Sequence, residues 1–340
     1  MSAVREYPTS HRERFTGQLV EWCRIPSVAA LPEHEIDVVR SANWLAAAFR
    51  DLGFPEVEVW SAADAPAVFA RWRAAPGAPT VLVCSHHHVR PAGSGRWEET
   101  APFEPAVRGG FVHGRGASDA KGQVPAHLWG LRAHLLDRDA PAVNLVFPVE
   151  VDEEDWVTRT ETRAVVGEAG CTVPERLWAR PAIEVLTMLA GDPVGPPLGA
   201  VPSVAAADLS VRTVSDQRVA EVGEQLRRWL AKTVDHRYDH EVSLSEGTAQ
   251  EACRTPDDLP ESELLAEAVE EGFGRSVGRM GNAGGGPAAR LAEGVGVPVL
   301  FFGTGLPEDR RHDSDERVSV DVLLAGAATL AHFWERMGRG

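Results

Sequence analysis

Hydrophobic residues in this chain recur with two spacings. Over 37–52 the apolar positions Val39, Ala42, Ala46, Phe49 and Leu52 return at three- to four-residue intervals, one face of a helix, and Gly53 supplies its stop. Strand-like runs follow at 57–60, 68–72 and 80–84. The last is apolar with β-branched residues at its start, as in a buried central strand. Residues 91–116, rich in Gly, Pro and polar groups, read as a long loop, a frequent home for function. A helix is expected over 122–138 with Val124, Leu128, Leu131 and Leu135 inward, then a buried strand over 143–149. Strands alternating with helices predict an α/β domain with a mostly parallel central sheet.

From residue 180 the pattern changes. Strands are expected over 182–186, 204–211 and 240–244. A helix over 216–231 places Val219, Val222, Leu226 and Leu230 on one face. This is a small α+β module. A helix over 261–273, a strand over 297–302 and a closing helix over 320–337 resume the first pattern. The division is therefore 1–178 with 255–340 for the α/β domain, and 179–254 for the inserted module. A length of 340 residues suits two domains at about 150 residues each.

Composition narrows the function classes. Apolar residues make up 44% and charged residues 25%, a globular balance. No apolar run reaches the roughly 18 residues of a membrane span. The polar N-terminus lacks the apolar stretch of a signal peptide, so a cytoplasmic location is expected. The formal charge of −16 disfavours phosphate backbones, and no basic patch offsets it, which argues against nucleic acid as a partner. Four cysteines without a CxxC pair argue against a disulfide framework or structural zinc and are read as buried free thiols.

Metal-binding side chains gather in four places, each after an expected strand or beside the loop beyond one. They are His86-His87-His88; the glycine-rich 114–122 segment with Asp119; the acidic run Glu150-Val151-Asp152-Glu153-Glu154-Asp155; and His312-Asp313-Ser314-Asp315-Glu316. Taken singly, the first three read as a polar turn, a helix N-cap and a solvated acidic loop, and the fourth is a weak signal. Taken together, they form an N/O donor set suited to zinc or a similar divalent ion.

In this order the four segments resemble the zinc-dependent aminoacylase, acetylornithine deacetylase, succinyl-diaminopimelate desuccinylase and carnosine dipeptidase family. The strand entering His86, the stretch from Trp97 through Pro102-Phe103 to Gly114-Arg115-Gly116-Ala117-Ser118-Asp119-Ala120-Lys121-Gly122, the Glu153-Glu154 pair, 178–185, and Gly303-Thr304-Gly305-Leu306-Pro307 through His312 and Glu316 carry the likeness; Ile25-Pro26-Ser27-Val28 also fits. The resemblance implies that Asp119 bridges two metals, that Glu154 and His312 complete one site, and that His86 belongs to the other. It implies that Glu153 is the general base on the attacking water, and that 179–254 is a lid of the kind that often forms dimers.

The departures are informative. The family's His-x-Asp reads His86-His87-His88, so His88 stands where an orienting aspartate is usual, as its replacement in catalysis or as a direct ligand. A block between Asp155 and about Arg163 is missing. With it go a further carboxylate ligand, half of the lid and the lid's oxyanion histidine, for which Glu161, Glu168, His236 and His240 are candidates by residue type alone. The family's substrate loop becomes Asn282-Ala283-Gly284-Gly285-Gly286-Pro287, where Gly284, Gly285 and Gly286 still allow close backbone approach to a substrate. One firmly bound zinc is expected, with an incomplete second site and cobalt or manganese as substitutes. The expected activity is hydrolysis of an amide or peptide bond in a small substrate, a dipeptide or an N-acyl amino acid. The alternatives are a biosynthetic metalloenzyme using the ion as a Lewis acid in a non-hydrolytic step, or a non-catalytic homologue. A homodimer is the candidate assembly.

Overall fold

The structure, a computed structural model, describes residues 3–29, 31–62, 65–74, 76–150, 170–191, 201–244, 249–281 and 286–339. In chain order, helices α1 (Ala3–Ser10), α2 (Arg12–Cys23) and α3 (Glu35–Leu52) precede strands β1 (Glu56–Ala62), β2 (Ala65–Trp72), β3 (Thr80–Leu82), β4 (Ser85–His86), β5 (Ala106–Arg108) and β6 (Phe111–His113). Next come α4 (Gln123–His134), β7 (Asn144–Glu150), α5 (Val173–Trp178), β8 (Ala182–Ala190), β9 (Ala205–Arg212) and α6 (Val219–Thr233). Helices α7 (Pro260–Phe273) and α8 (Ala288–Val295), strand β10 (Arg317–Ser319) and helix α9 (Val320–Met337) complete the order. The chain forms two compact units. One comprises Met1–Glu153, Asp257–Val277 and Leu300–Gly340; the other comprises Glu154–Pro256 and Gly278–Val299.

The α/β class expected from sequence is present in the first unit. Its main sheet is mixed, however, rather than mostly parallel: β3 and β4 run parallel to β7, while β1–β2 and β2–β7 are antiparallel. The cause is local. Ala62 pairs with Ala65, so the chain reverses at once and β1 and β2 form a hairpin. The expected 80–84 strand breaks after Leu82 and resumes at Ser85, still on β7. A second sheet, ordered β10-β6-β5, is antiparallel throughout.

Helix α3 packs on β1 and β2, and α9 packs against α4 and α7. Ala42, Ala46, Phe49 and Leu52 are buried as their spacing requires, but Val39 is outward at 46% exposure and Val38 takes the inner position. Helix α2 lies outside the elements expected from the hydrophobic pattern. Its buried Phe15, Leu19 and Trp22 nevertheless stand at helical intervals, and Phe15 stacks on Trp129 of α4 at 4.8 Å. The closing helix has the expected bounds; the Ser319 hydroxyl caps its start, accepting from Val322 N at 3.4 Å.

Two expected strands are absent. Residues 297–302 form no ladder: Pro298 lacks a backbone donor, and Phe301 is 53% exposed. Residues 240–244 also form no strand; only two of the five, Val242 and Leu244, are apolar or β-branched, too little to hold an edge. In the second unit β8 and β9 form an antiparallel ribbon with a bulge between Val185 and Thr187; β8 runs four residues beyond the expected 182–186, while β9 lies one residue along from the expected 204–211. Among the described residues no helix is long and apolar enough to cross a membrane. The cysteines are free as expected, but only Cys23 is buried, and Cys84 is exposed.

Candidate metal centre

Three sequence-predicted residues from distant parts of the chain meet at one carboxylate. His86 ends β4, Asp119 lies on the glycine-rich loop between β6 and α4, and His312 lies on the loop entering β10. His312 Nε2 is 2.6 Å from Asp119 Oδ2, and His86 Nε2 is 3.4 Å from Asp119 Oδ1. Each carboxylate oxygen therefore faces its own imidazole. Burial pushes the Asp119 carboxyl up, but the hydrogen bonds from His312 and His86 outweigh it and hold the group well below the usual carboxylate range.

The sheet explains the placement. Strand β4 pairs with the end of β7 so that His86 lies opposite Glu150, the first residue of the acidic run, and His87 N donates to the Glu150 carbonyl at 3.1 Å. The ends of both strands thus leave the sheet side by side. His86 Nδ1 lies 3.3 Å from the His88 carbonyl oxygen, which leaves Nε2 turned toward Asp119. The His88 ring is buried and 4.6 Å from that of His86. His87 points the other way: its Nε2 is 2.8 Å from the Pro66 carbonyl oxygen, and burial pushes its pKa down to about 4.

The Asp119 loop is held from beneath. Gly116 has φ +84, and a Cβ there would lie 2.5 Å from Val89 Cγ1, so both conformation and space require glycine. Lys121, fully buried, donates from Nζ to the carbonyls of Trp22 (3.0 Å) and Ile25 (2.7 Å). Burial pushes its pKa down to about 8. Glu316 and Arg115 form a buried ion pair at 2.7 Å. On the opposite loop Asp315 accepts from Glu98 N and Glu99 N at 2.7 and 3.0 Å. Motif and spacing assign these anchors no role. The one signal in the sequence is Glu316 lying four residues after His312, and its side-chain partners are 197 to 201 positions away.

Among the described residues no three His, Cys, Asp or Glu side chains converge on a single ion. The donor types nevertheless fit a divalent metal: two imidazole nitrogens aimed at the two oxygens of one carboxylate, one of them oriented through its other ring nitrogen. Glu153, Glu154, Glu161, Glu168, Gly284 and Gly285 lie outside the described residues. Gly286, at φ +150, is in a glycine-favouring conformation. His236 is an exposed side chain 3.5 Å from Asp235, and His240 is exposed as well.

Known proteins share sequence and fold with this chain. A cysteinylglycine-S-conjugate dipeptidase of Corynebacterium striatum is 34% identical over 124 residues, a match that spans 36% of this chain and 27% of that protein. A succinyl-diaminopimelate desuccinylase of Methylobacterium radiotolerans is 27% identical over 374 residues, covering 88% of this chain and 91% of the relative. The fold resembles that of human carnosine dipeptidase 1 with a TM-score of 0.77 and 17% identity, over 99% of this chain and 98% of the other. The sequence model of Peptidase family M20/M25/M40 matches residues 82–336, a span that includes His86, Asp119 and His312. The chain belongs to Peptidase family M20/M25/M40 and is an amidohydrolase.

Proposed function

We propose that this chain is a metal-dependent hydrolase of the amide bond in a small substrate, a dipeptide or an N-acyl amino acid. The observation that carries the reading is the Asp119 carboxylate with one imidazole on each oxygen. The activities for which the relatives are named, dipeptidase and desuccinylase, both cleave such bonds.

Asp119, His312 and Glu154 would hold one divalent ion, zinc by the character of the donors, with cobalt or manganese as substitutes. His86 with the shared Asp119 offers a weaker second position. A bound ion acidifies water and polarises a carbonyl at neutral pH. Glu153, beside Glu154 in the chain, takes the proton of the attacking water and returns it to the leaving amine nitrogen. His86 is oriented by the His88 carbonyl, and the His88 ring fills the space beside it. Gly284, Gly285 and Gly286 offer backbone contacts to the substrate. We assign catalysis to 1–178 with 255–340, and a lid to 179–254 through which two copies would pair.

The test is metal content of untagged protein by elemental analysis, together with hydrolysis assays on dipeptides and N-acyl amino acids. We expect about one zinc per chain, lost in His312→Ala, as for a three-ligand catalytic site. Glu153→Ala should keep its metal and lose activity by about 10²- to 10⁴-fold. Protein that takes up no metal after zinc is added back overturns the reading, as does full activity in Glu153→Ala.

A further inference from the structure

We propose that Glu316 is a positioning residue for the metal ligands, its buried carboxylate setting the Asp119 loop in register with the His312 loop. The proposal rests on the metal-dependent reading above.

Glu316 is fully buried, and each of its oxygens meets two donors. Oε1 accepts from Ser118 N at 2.9 Å and Asp119 N at 3.0 Å; Oε2 accepts from Gly116 N at 3.1 Å and Arg115 Nη1 at 2.7 Å. Its main-chain carbonyl takes Gly114 N at 2.9 Å. One residue thus gathers donors along 114–119, up to the amide of Asp119 itself.

The register behind this grip comes from the β6–β10 ladder. His113 pairs with Arg317, which brings Gly114 opposite Glu316. The two loops leave the same pair of strands: β6 runs directly into 114–119, and β10 is entered directly from 312–316. Glu316 bridges them at the root, and at the tip His312 meets Asp119 at 2.6 Å. A second carboxylate strengthens the grip, for Asp309 Oδ2 accepts from Ser118 Oγ at 3.0 Å and from Leu306 N at 2.7 Å. Gln123 Nε2 donates to the Ser118 carbonyl at 2.9 Å, so the residue before Asp119 is held at its amide, hydroxyl and carbonyl.

A buried Arg–Glu pair is weak evidence for stability, since apolar residues of similar volume often do as well. What an apolar pair could not do is orient the amides of Gly116, Ser118 and Asp119. Metal ligands need placement within roughly 0.5 Å, and Asp119 must face two imidazoles at once.

The experiment is titration of the metal-free full chain with Co²⁺ alone, followed by the visible absorption of the bound ion, with kcat and KM measured on the loaded protein. Glu316→Gln should raise the Co²⁺ Kd by about 10- to 100-fold, alter the absorption band and lower kcat more than it changes KM. Glu316→Asp keeps the charge but draws the oxygens back by one methylene; it should show the same changes at smaller size, and serves if the glutamine variant does not fold. Phe49→Leu, a core change remote from the loops, should lower Tm and leave Kd and the band alone. Wild-type Kd and absorption in a folded Glu316 variant overturn the proposal, as does equal loss of affinity in Phe49→Leu. A wild type that binds no Co²⁺ overturns the metal-dependent reading itself and the proposal with it.

Discussion

In the first compact unit Trp22, Trp129 and Trp334 are almost completely buried, and so are the charges of Arg115, Lys121 and Glu316. In the second unit, Ile183, Val185 and Met188 of the β8–β9 ribbon and Trp229 of α6 are exposed, Met188 at 74%. The first unit surrounds its polar anchors with a closely packed core, so each anchor has one place to go. The ribbon leaves most of its side chains without dense neighbours. Chemistry that needs fixed geometry sits where packing can hold it, and single substitutions should register very differently in the two units.

The largest effect is expected at Asp119. Asp119→Ala removes the carboxylate shared by both imidazoles and should lower activity by about 10³-fold or more, with loss of bound metal seen by elemental analysis. If a charge-neutralising change in the β8–β9 ribbon proved as damaging, the contrast would fail. Next is Arg115→Ala, which leaves the Glu316 carboxylate buried without its guanidinium; unfolding in urea should show about 3–5 kcal/mol of lost stability. Gly130→Ala tests the packing of α4 on α9. Its Cβ would lie 2.5 Å from the Ala327 carbonyl oxygen, and a cost of roughly 1–3 kcal/mol is expected from the urea midpoint.

The pH dependence of folding sharpens the comparison further. Burial pushes the His134 pKa from 6.5 down to about 4, and its Nε2 accepts the Ala142 amide at 3.0 Å, a role open to the neutral ring. As pH falls below 6.5 the unfolded chain takes up the proton first. The stabilisation is therefore full above pH 6.5 and is lost toward pH 4, with a slope of at most about 1.4 kcal/mol per pH unit. His134→Gln should flatten the acid side of the urea midpoint against pH; an unchanged profile would remove His134 from the account. The smallest effect belongs to the second unit, where Met188→Gln should change stability by less than about 0.5 kcal/mol. A loss of several kcal/mol there would show that the ribbon is covered by something.

Much of the first unit was legible in the sequence. Helical spacing located α3, α4, α7 and α9. His86, Asp119 and His312, expected after strands or beside the loops beyond them, do come within 3.4 and 2.6 Å of one another through Asp119, although the strand expected before His312 is absent. Val39 and the 297–302 run misled for related reasons. A helix face is wider than any one set of three- and four-residue steps, and apolar character cannot say whether a segment finds a ladder partner. Among the histidines of 86–88 the family resemblance singled out His86 and His88, but hydrophobic patterning gave no sign that His87 would turn to the Pro66 carbonyl and to Ser41 Oγ, 2.8 and 3.3 Å from its ring nitrogens.

By itself the sequence determined the chemical types at the site and the local elements that present them. Both depend on side-chain identity and on short periodicities, one helical turn or two strand residues. Only the tertiary structure decided that Asp119 faces His86 and His312 on separate oxygens, and that Glu316 meets Ser118 and Asp119. The His312 and Glu316 contacts join residues nearly two hundred positions apart. Their geometry is set by strand register, in which one step moves every side chain to the other face.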